Sequence, residues 1–197
     1  MKKKKKSKLL RKVIYLLLFS LIIYALIYIS NKYEKLSETK TIVFNDYYPN
    51  ESSKYYTIIN ANKLISNTKK GNHLVFIGAS TSAWSIEYAS LISDIAKELD
   101  IKIDYYDLEN DKNQKNSNYY EVREILSGSL TTTDGSKNNL LSPSFYIMSN
   151  GMIKYYNTDT VAMKNTDIPE EYWNKKRKEE FKMEIKEKIE KYYLNNK

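Results

Sequence analysis

Two serines three residues apart, Ser82 and Ser85, sit in the small-residue segment Ser80-Thr-Ser-Ala-Trp-Ser85. An apolar run ending at Ile77 precedes this segment, and a helical pattern opens from it at Trp84. Hydroxyls in such a place have two kinds of chemistry open to them. A serine can attack as a nucleophile when a base, normally histidine, takes its proton. A Ser or Thr can also cap the helix by accepting a hydrogen bond from an unpaired N–H of its first turn. The chain has one histidine, His73, at the start of the strand pattern that leads into the turn. An extended strand advances about 3.3 Å per residue, so His73 stands more than roughly 20 Å from Ser82. The Gly-x-Ser-x-Gly elbow of a serine hydrolase is also missing. Capping by Thr81 or Ser82 is therefore the expected role, and His73 is expected to be an exposed strand-edge residue.

Other chemistries find less. The chain has no cysteine, so thiol–disulfide exchange has no nucleophile. One histidine and no thiolate leave little to hold zinc or copper. Asp107-Leu-Glu109-Asn-Asp111 spaces oxygens like a calcium loop. However, Lys112 takes the place of the required glycine and Asn118 that of the bidentate glutamate, so a solvated acidic loop is expected. No metal and no cofactor are expected.

The elements that must position the serines follow from periodicity. Thr41–Phe44 reads as a first strand, and 53–67 as a helix with Tyr56, Ile59, Ala61, Leu64 and Ile65 on one face. Leu74–Ile77 is a continuous apolar run, the pattern of a strand buried on both faces. A helix follows over Trp84–Leu99, then a strand over Ile101–Leu108, a polar loop over 110–118 and a helix over Tyr119–Leu126. Residues 128–139 read as a Ser/Thr/Gly-rich loop. Phe145–Met148 and Met152–Tyr156 flank Asn150-Gly151, a strong hairpin signal. Pro169 opens a terminal helix with Trp173, Phe181, Ile185, Ile189 and Tyr192 on its buried face. The alternation of strands and helices is that of an α/β domain.

Ile77-Gly78-Ala79-Ser80-Thr81-Ser82-Ala83-Trp84-Ser85 resembles the active-site turn of thioredoxin-like proteins. The similarity is to the branch that includes bacteriocin-transport accessory proteins, where the turn typically reads I-G-R-x-T-C-P-Y-C. Serines stand at both cysteine positions, Ser82 at the nucleophile's and Ser85 at the resolving one. Ser142-Pro143, just before the hairpin, is similar to the family's second landmark, a dipeptide with a cis bond that faces the cysteine pair. The resemblance covers about residues 41–193. It implies a thioredoxin-like fold, a central mixed sheet flanked by helices, with Pro143 near Ser82. It also implies that Trp84, in a slot that meets substrate polypeptide in the family, joins Thr81, Ser82, Ala83, Ser142 and Pro143 in a peptide-docking groove. The ordinary alternative is that Trp84 packs as core.

Charge and hydropathy organise the rest. Lys2–Lys6, Lys8, Arg11 and Lys12 account for eight of the 32 basic residues; the other 24 balance 24 acidic ones, so positions 13–197 are formally neutral. That leaves no basic footprint for nucleic acid on the folded part. Val13–Ile29 is apolar or tyrosine except for Ser20. As a helix it spans about 25 Å, at the short end for a membrane crossing, and flanking lysines can snorkel. A cleaved signal peptide fits less well, because the run is long and no small-x-small site follows it.

The expected organisation is a basic cytoplasmic tail (1–12), a single transmembrane helix (13–30), a linker (31–40) and an extracytoplasmic domain (41–197). The positive-inside rule sets this orientation. The expected function is redox-inactive binding of a peptide or protein partner at the cell surface, and the resemblance implies an accessory part in bacteriocin or peptide export. The alternatives are a thiol–disulfide oxidoreductase in which serine was substituted for the catalytic cysteines, or a structural component of a membrane complex.

Overall fold

The computed structural model describes residues 20–25, 43–109, 117–126, 140, 142–158 and 168–195. The chain divides into two units, 1–41 and 42–197. Of the first, residues 20–25 are helical. The rest of the expected anchor, the basic tail and the linker lie outside the described residues. Among those described, no helix is long and apolar enough to cross a membrane.

The second unit begins with a short helix, α1 (Phe44–Tyr47), and a 3-10 turn over Ser53–Tyr55. Then follow β1 (Tyr56–Ile59), α2 (Ala61–Thr68), β2 (Asn72–Gly78), α3 (Ala83–Leu99), β3 (Ile103–Asp107) and α4 (Ser117–Ile125). The chain closes with β4 (Ser144–Ser149), β5 (Met152–Asn157), α5 (Pro169–Tyr172) and α6 (Lys175–Ile189), which runs into a π turn over Glu190–Leu194. The strands form one sheet in the order β1-β3-β2-β4-β5. β3 pairs parallel with both β1 and β2, while β4 runs antiparallel to β2 and to β5. β2 is thus central, and Leu74–Ile77 are buried on both faces, as their unbroken apolar run requires.

Alternation along each strand splits the core in two. Leu74, Phe76, Ile103, Tyr105, Phe145 and Ile147 face α1, α3 and α6. Val75, Ile77, Tyr106, Tyr146 and Met148 face α2 and α4. α3 buries Tyr88, Ala89, Leu91, Ile92, Ile95 and Ala96, and ends at Asp100 in the left-handed conformation (φ 46°). α6 is tied to α3 by Lys178–Glu87 (3.0 Å), Lys182–Asp94 and Lys186–Glu98 (2.6 Å).

Three expectations need correction. Phe44 belongs to a helix, not a strand; residues 41 and 42 lie outside the described ones. Its ring stacks on Tyr56 (3.5 Å, 8°) and meets Tyr105 edge-on, so its apolar character serves the core. The first strand is Tyr56-Thr-Ile-Ile59, inside the stretch read as one helix. Its β-branched run favours the pleat. Asn60 then starts α2 by accepting from Lys63 N–H at 2.9 Å. The terminal helix is likewise broken. Trp173 leaves helical geometry (φ −80°, ψ 53°), and Asn174 caps α6 through the Arg177 N–H at 3.1 Å. Phe181, Ile185 and Ile189 keep the expected buried face. Of the loop read over 110–118, Ser117 and Asn118 belong to α4, while residues 110–116 and the loop read over 128–139 lie outside the described residues.

Candidate functional site

The site lies where β2 hands over to α3. Gly78 ends the strand because nothing larger fits: a Cβ there would lie 2.4 Å from Tyr48 Oη, 3.0 Å from Phe76 and 3.1 Å from Tyr105. The absent side chain lets the Tyr48 hydroxyl pass beneath the turn. Ser82 N–H donates to Ala79 C=O (2.9 Å), closing the turn, and Ser82 C=O accepts from Ile86 N–H (3.0 Å), opening the helix.

The hydroxyls do other work than expected. Ser82 occupies the N-cap position by its backbone (φ −89°, ψ 122°), yet its side chain makes no capping bond. Thr81 does not cap either; its Oγ1 donates to Glu109 Oε1 at 2.5 Å, linking the turn to the segment after β3. Ser85, fully buried, reaches back to accept from Ala79 N–H at 3.1 Å. Ser85, not the serine at the cap, therefore satisfies the turn's backbone.

Ser85 also lies close enough to the Tyr48 phenol to favour its ionised form slightly, against the larger effect of burial. Tyr48 Oη lies 3.2 Å from Tyr105 Oη, Tyr105 Oη donates to Asp107 Oδ2 (3.3 Å), and Asp107 Oδ1 accepts from Glu109 N–H (2.8 Å). A chain of polar contacts thus runs from the turn to a buried carboxylate. Gly78 and Asp107 are register partners across β2 and β3, which brings the carboxylate under the turn. Burial pushes both phenols far above the ordinary tyrosine range, so each remains a neutral donor.

The other landmark stands beside the turn. The Ser142-Pro143 bond is cis. Ser144 pairs with Ile77, so buried Pro143 sits at the end of the sheet where the chain leaves β2 for Gly78 and Ala79. Thr81 and Ala83 are exposed, and Ser82, Trp84 and Ser142 are half-buried. Trp84 packs against the main core and is half-buried, while Ala83 is exposed and Ile86 is 48% exposed. Its ring meets Tyr172 edge-on at 5.7 Å and 69°. Tyr172 in turn carries the Arg177 guanidinium 3.9 Å above its centroid.

Away from the site, His73 lies at the opposite end of β2 from the turn. It is not an exposed edge residue. Half-buried in the central strand, it has Nδ1 3.2 Å from Asp104 Oδ2 and Nε2 3.1 Å from Lys70 C=O. Tyr48, Tyr105, Tyr172 and Arg177 went unread in the sequence. With 19 tyrosines in the chain, no spacing distinguishes those beneath or beside the turn.

No family model matches the chain, and no curated protein does. Fourteen chains of solved structures match. One is thioredoxin from Trypanosoma brucei brucei, 17% identical with a TM-score of 0.35; the match covers 52% of this chain and 79% of that one. Another is thioredoxin O2 from Arabidopsis thaliana in the oxidized state, 9% identical with a TM-score of 0.40, covering 73% and 98%. At such scores the fold assignment stands on strand order and connectivity. A mixed sheet ordered β1-β3-β2-β4-β5, helices on both faces and an antiparallel closing hairpin make the domain thioredoxin-like.

Proposed function

We propose that this chain is a membrane-anchored, redox-inactive thioredoxin-like protein that docks an extended peptide or protein segment at the cell surface. The observation that carries the redox-inactive part is Ser85. A fully buried hydroxyl that accepts from Ala79 N–H and lies beside the Tyr48–Tyr105–Asp107 contacts fits its surroundings as a serine. Thiols hydrogen-bond weakly, so this polar setting suits a hydroxyl better than the cysteine of an oxidoreductase.

The docking part is supported by the exposed first turn of α3. Ala83, Ile86 and the accessible part of Trp84 offer apolar surface beside the cis-proline end of β4. The anchoring is supported by the sequence alone, by eight cations followed by the apolar run 13–29. A part in bacteriocin or peptide export rests on the sequence resemblance, and fold does not fix function.

The test is capture of a membrane or secreted partner by the full-length chain, comparing wild type with Trp84→Ala. A docking tryptophan is expected to lose about 1–4 kcal/mol of binding on truncation. Equal capture by both would sink the groove. Insulin reduction by the unaltered chain would sink the redox-inactive reading.

A further inference from the structure

Arg177 is the exceptional cation of α6. Lys175, Lys176, Lys178, Lys182, Lys186 and Lys188 each stand within ion-pair distance of a carboxylate. Arg177 has no carboxylate partner among the described residues, and its guanidinium carbon lies 3.9 Å over the centroid of the Tyr172 ring. The acids nearest to Tyr172 in sequence, Glu170 and Glu171 in the first turn of α5, make no ion pair with it. Its position is fixed from below. Asn174 sets the start of α6 through the Arg177 N–H. Trp173, buried against Tyr88 and Phe181, pins the segment that presents Tyr172.

A guanidinium carries five N–H donors in a planar fork, and two of them match a carboxylate through parallel hydrogen bonds. Tyr172 connects it to Trp84, so guanidinium, phenol and indole form one row, and exposed Ala83 precedes Trp84 in the chain. The geometry points to an acidic peptide as the occupant of this row: an apolar side chain against Trp84 and Ala83, with a neighbouring Asp or Glu carboxylate held by Arg177. Charge complementarity decides the choice. A basic peptide would bring like charge to Arg177, and a neutral one would leave the guanidinium edges to water. This inference rests on the docking reading and adds the partner's chemistry to it.

The experiment is an array of immobilised decapeptides in which one Phe or Leu is followed at one to three positions by Asp/Glu, by Asn/Gln or by Lys/Arg. It is probed with the full chain in detergent micelles as wild type, Trp84→Ala, Arg177→Ala and Arg177→Lys. Wild type is expected to favour the acidic set over its amide isosteres. Arg177→Ala should lose about fivefold on the acidic set, the scale of one exposed charge pair, and leave the amide set unchanged. Arg177→Lys should fall between, since it keeps the charge without the planar fork. Equal binding of acidic and amide sets, or an equal loss on all sets in Arg177→Ala, overturns the inference. If Trp84→Ala still abolishes binding in that case, the docking reading survives alone. Binding to no set overturns both.

Discussion

Ser82 and Ser85 should differ in stability effect in the opposite order to the usual helix rules. Ser82 stands at the N-cap, where replacing serine by alanine ordinarily costs about 1 kcal/mol. Its side chain makes no capping bond here, so Ser82→Ala is expected to change stability by less than about 0.5 kcal/mol. Ser85 is three residues inside the helix, where serine is normally dispensable. Its Oγ, however, takes the Ala79 N–H at 3.1 Å in a fully buried setting and meets the Tyr48 phenol. Ser85→Ala strands a buried backbone donor. The desolvation penalty for such a donor is about 1–3 kcal/mol. For a domain of this size that corresponds to a loss of roughly 2–12 °C in Tm. Urea titrations of wild type, Ser82→Ala and Ser85→Ala, fitted with a common slope, give the comparison. Ser85→Ala within about 0.5 kcal/mol of wild type, or Ser82→Ala the more damaging of the two, would refute the reasoning.

Further outcomes follow from the same site and core. Gly78→Ala should destabilise by about 1–3 kcal/mol, because its Cβ meets the Tyr48 hydroxyl at 2.4 Å; combining it with Tyr48→Phe should recover part of the loss, seen as coupling in a double-mutant cycle. Phe76→Ala, at the centre of the larger core, should cost about 3–5 kcal/mol in a denaturant titration. Tyr48 and Tyr105 ionise in the folded state far above the unfolded value of about 10, so the stability they contribute is complete below that pH and falls as pH rises above it. Absorbance at 295 nm together with circular dichroism should therefore show some phenols ionising only as the fold is lost. Titration of every tyrosine near pH 10 with the fold intact would contradict this. Protease added to intact cells should remove the domain if the anchor runs N-terminus inward.

Much of the architecture was legible because its signals are short-range. The unbroken Leu74–Ile77 run, the helical face of Tyr88, Ile92 and Ile95, and Asn150-Gly151 between alternating strands each state their element locally. The first strand was not. Tyr56-Thr-Ile-Ile59 is only four residues, and Ala61, Leu64 and Ile65 just beyond it complete a helical period, so the boundary depends on Asn60 as a cap. Phe44 misled for a different reason: it closes the apolar run Ile42-Val43-Phe44, which suits a strand, and its role as a core anchor shows only in its stack on Tyr56.

The candidate site divides the same way. Thr81 to Trp84 and Ser142-Pro143 announce themselves by order along the chain. Tyr48, Tyr105 and Asp107 reach the turn from other elements, across parallel pairing and through the space that Gly78 leaves open. Arg177 looks like one more cation in a charged helix until its six lysine neighbours are seen to be paired.

Docking at the turn between β2 and α3 is tested most directly by photo-crosslinking in intact cells. A photoreactive amino acid is placed at Ala83, exposed beside Trp84, and for comparison at Tyr120, exposed on α4. A discrete adduct from position 83 that is absent from position 120, and lost when Trp84→Ala is combined with it, is the expected result. No adduct at position 83, or the same adducts from both positions, would contradict a partner docked at this turn.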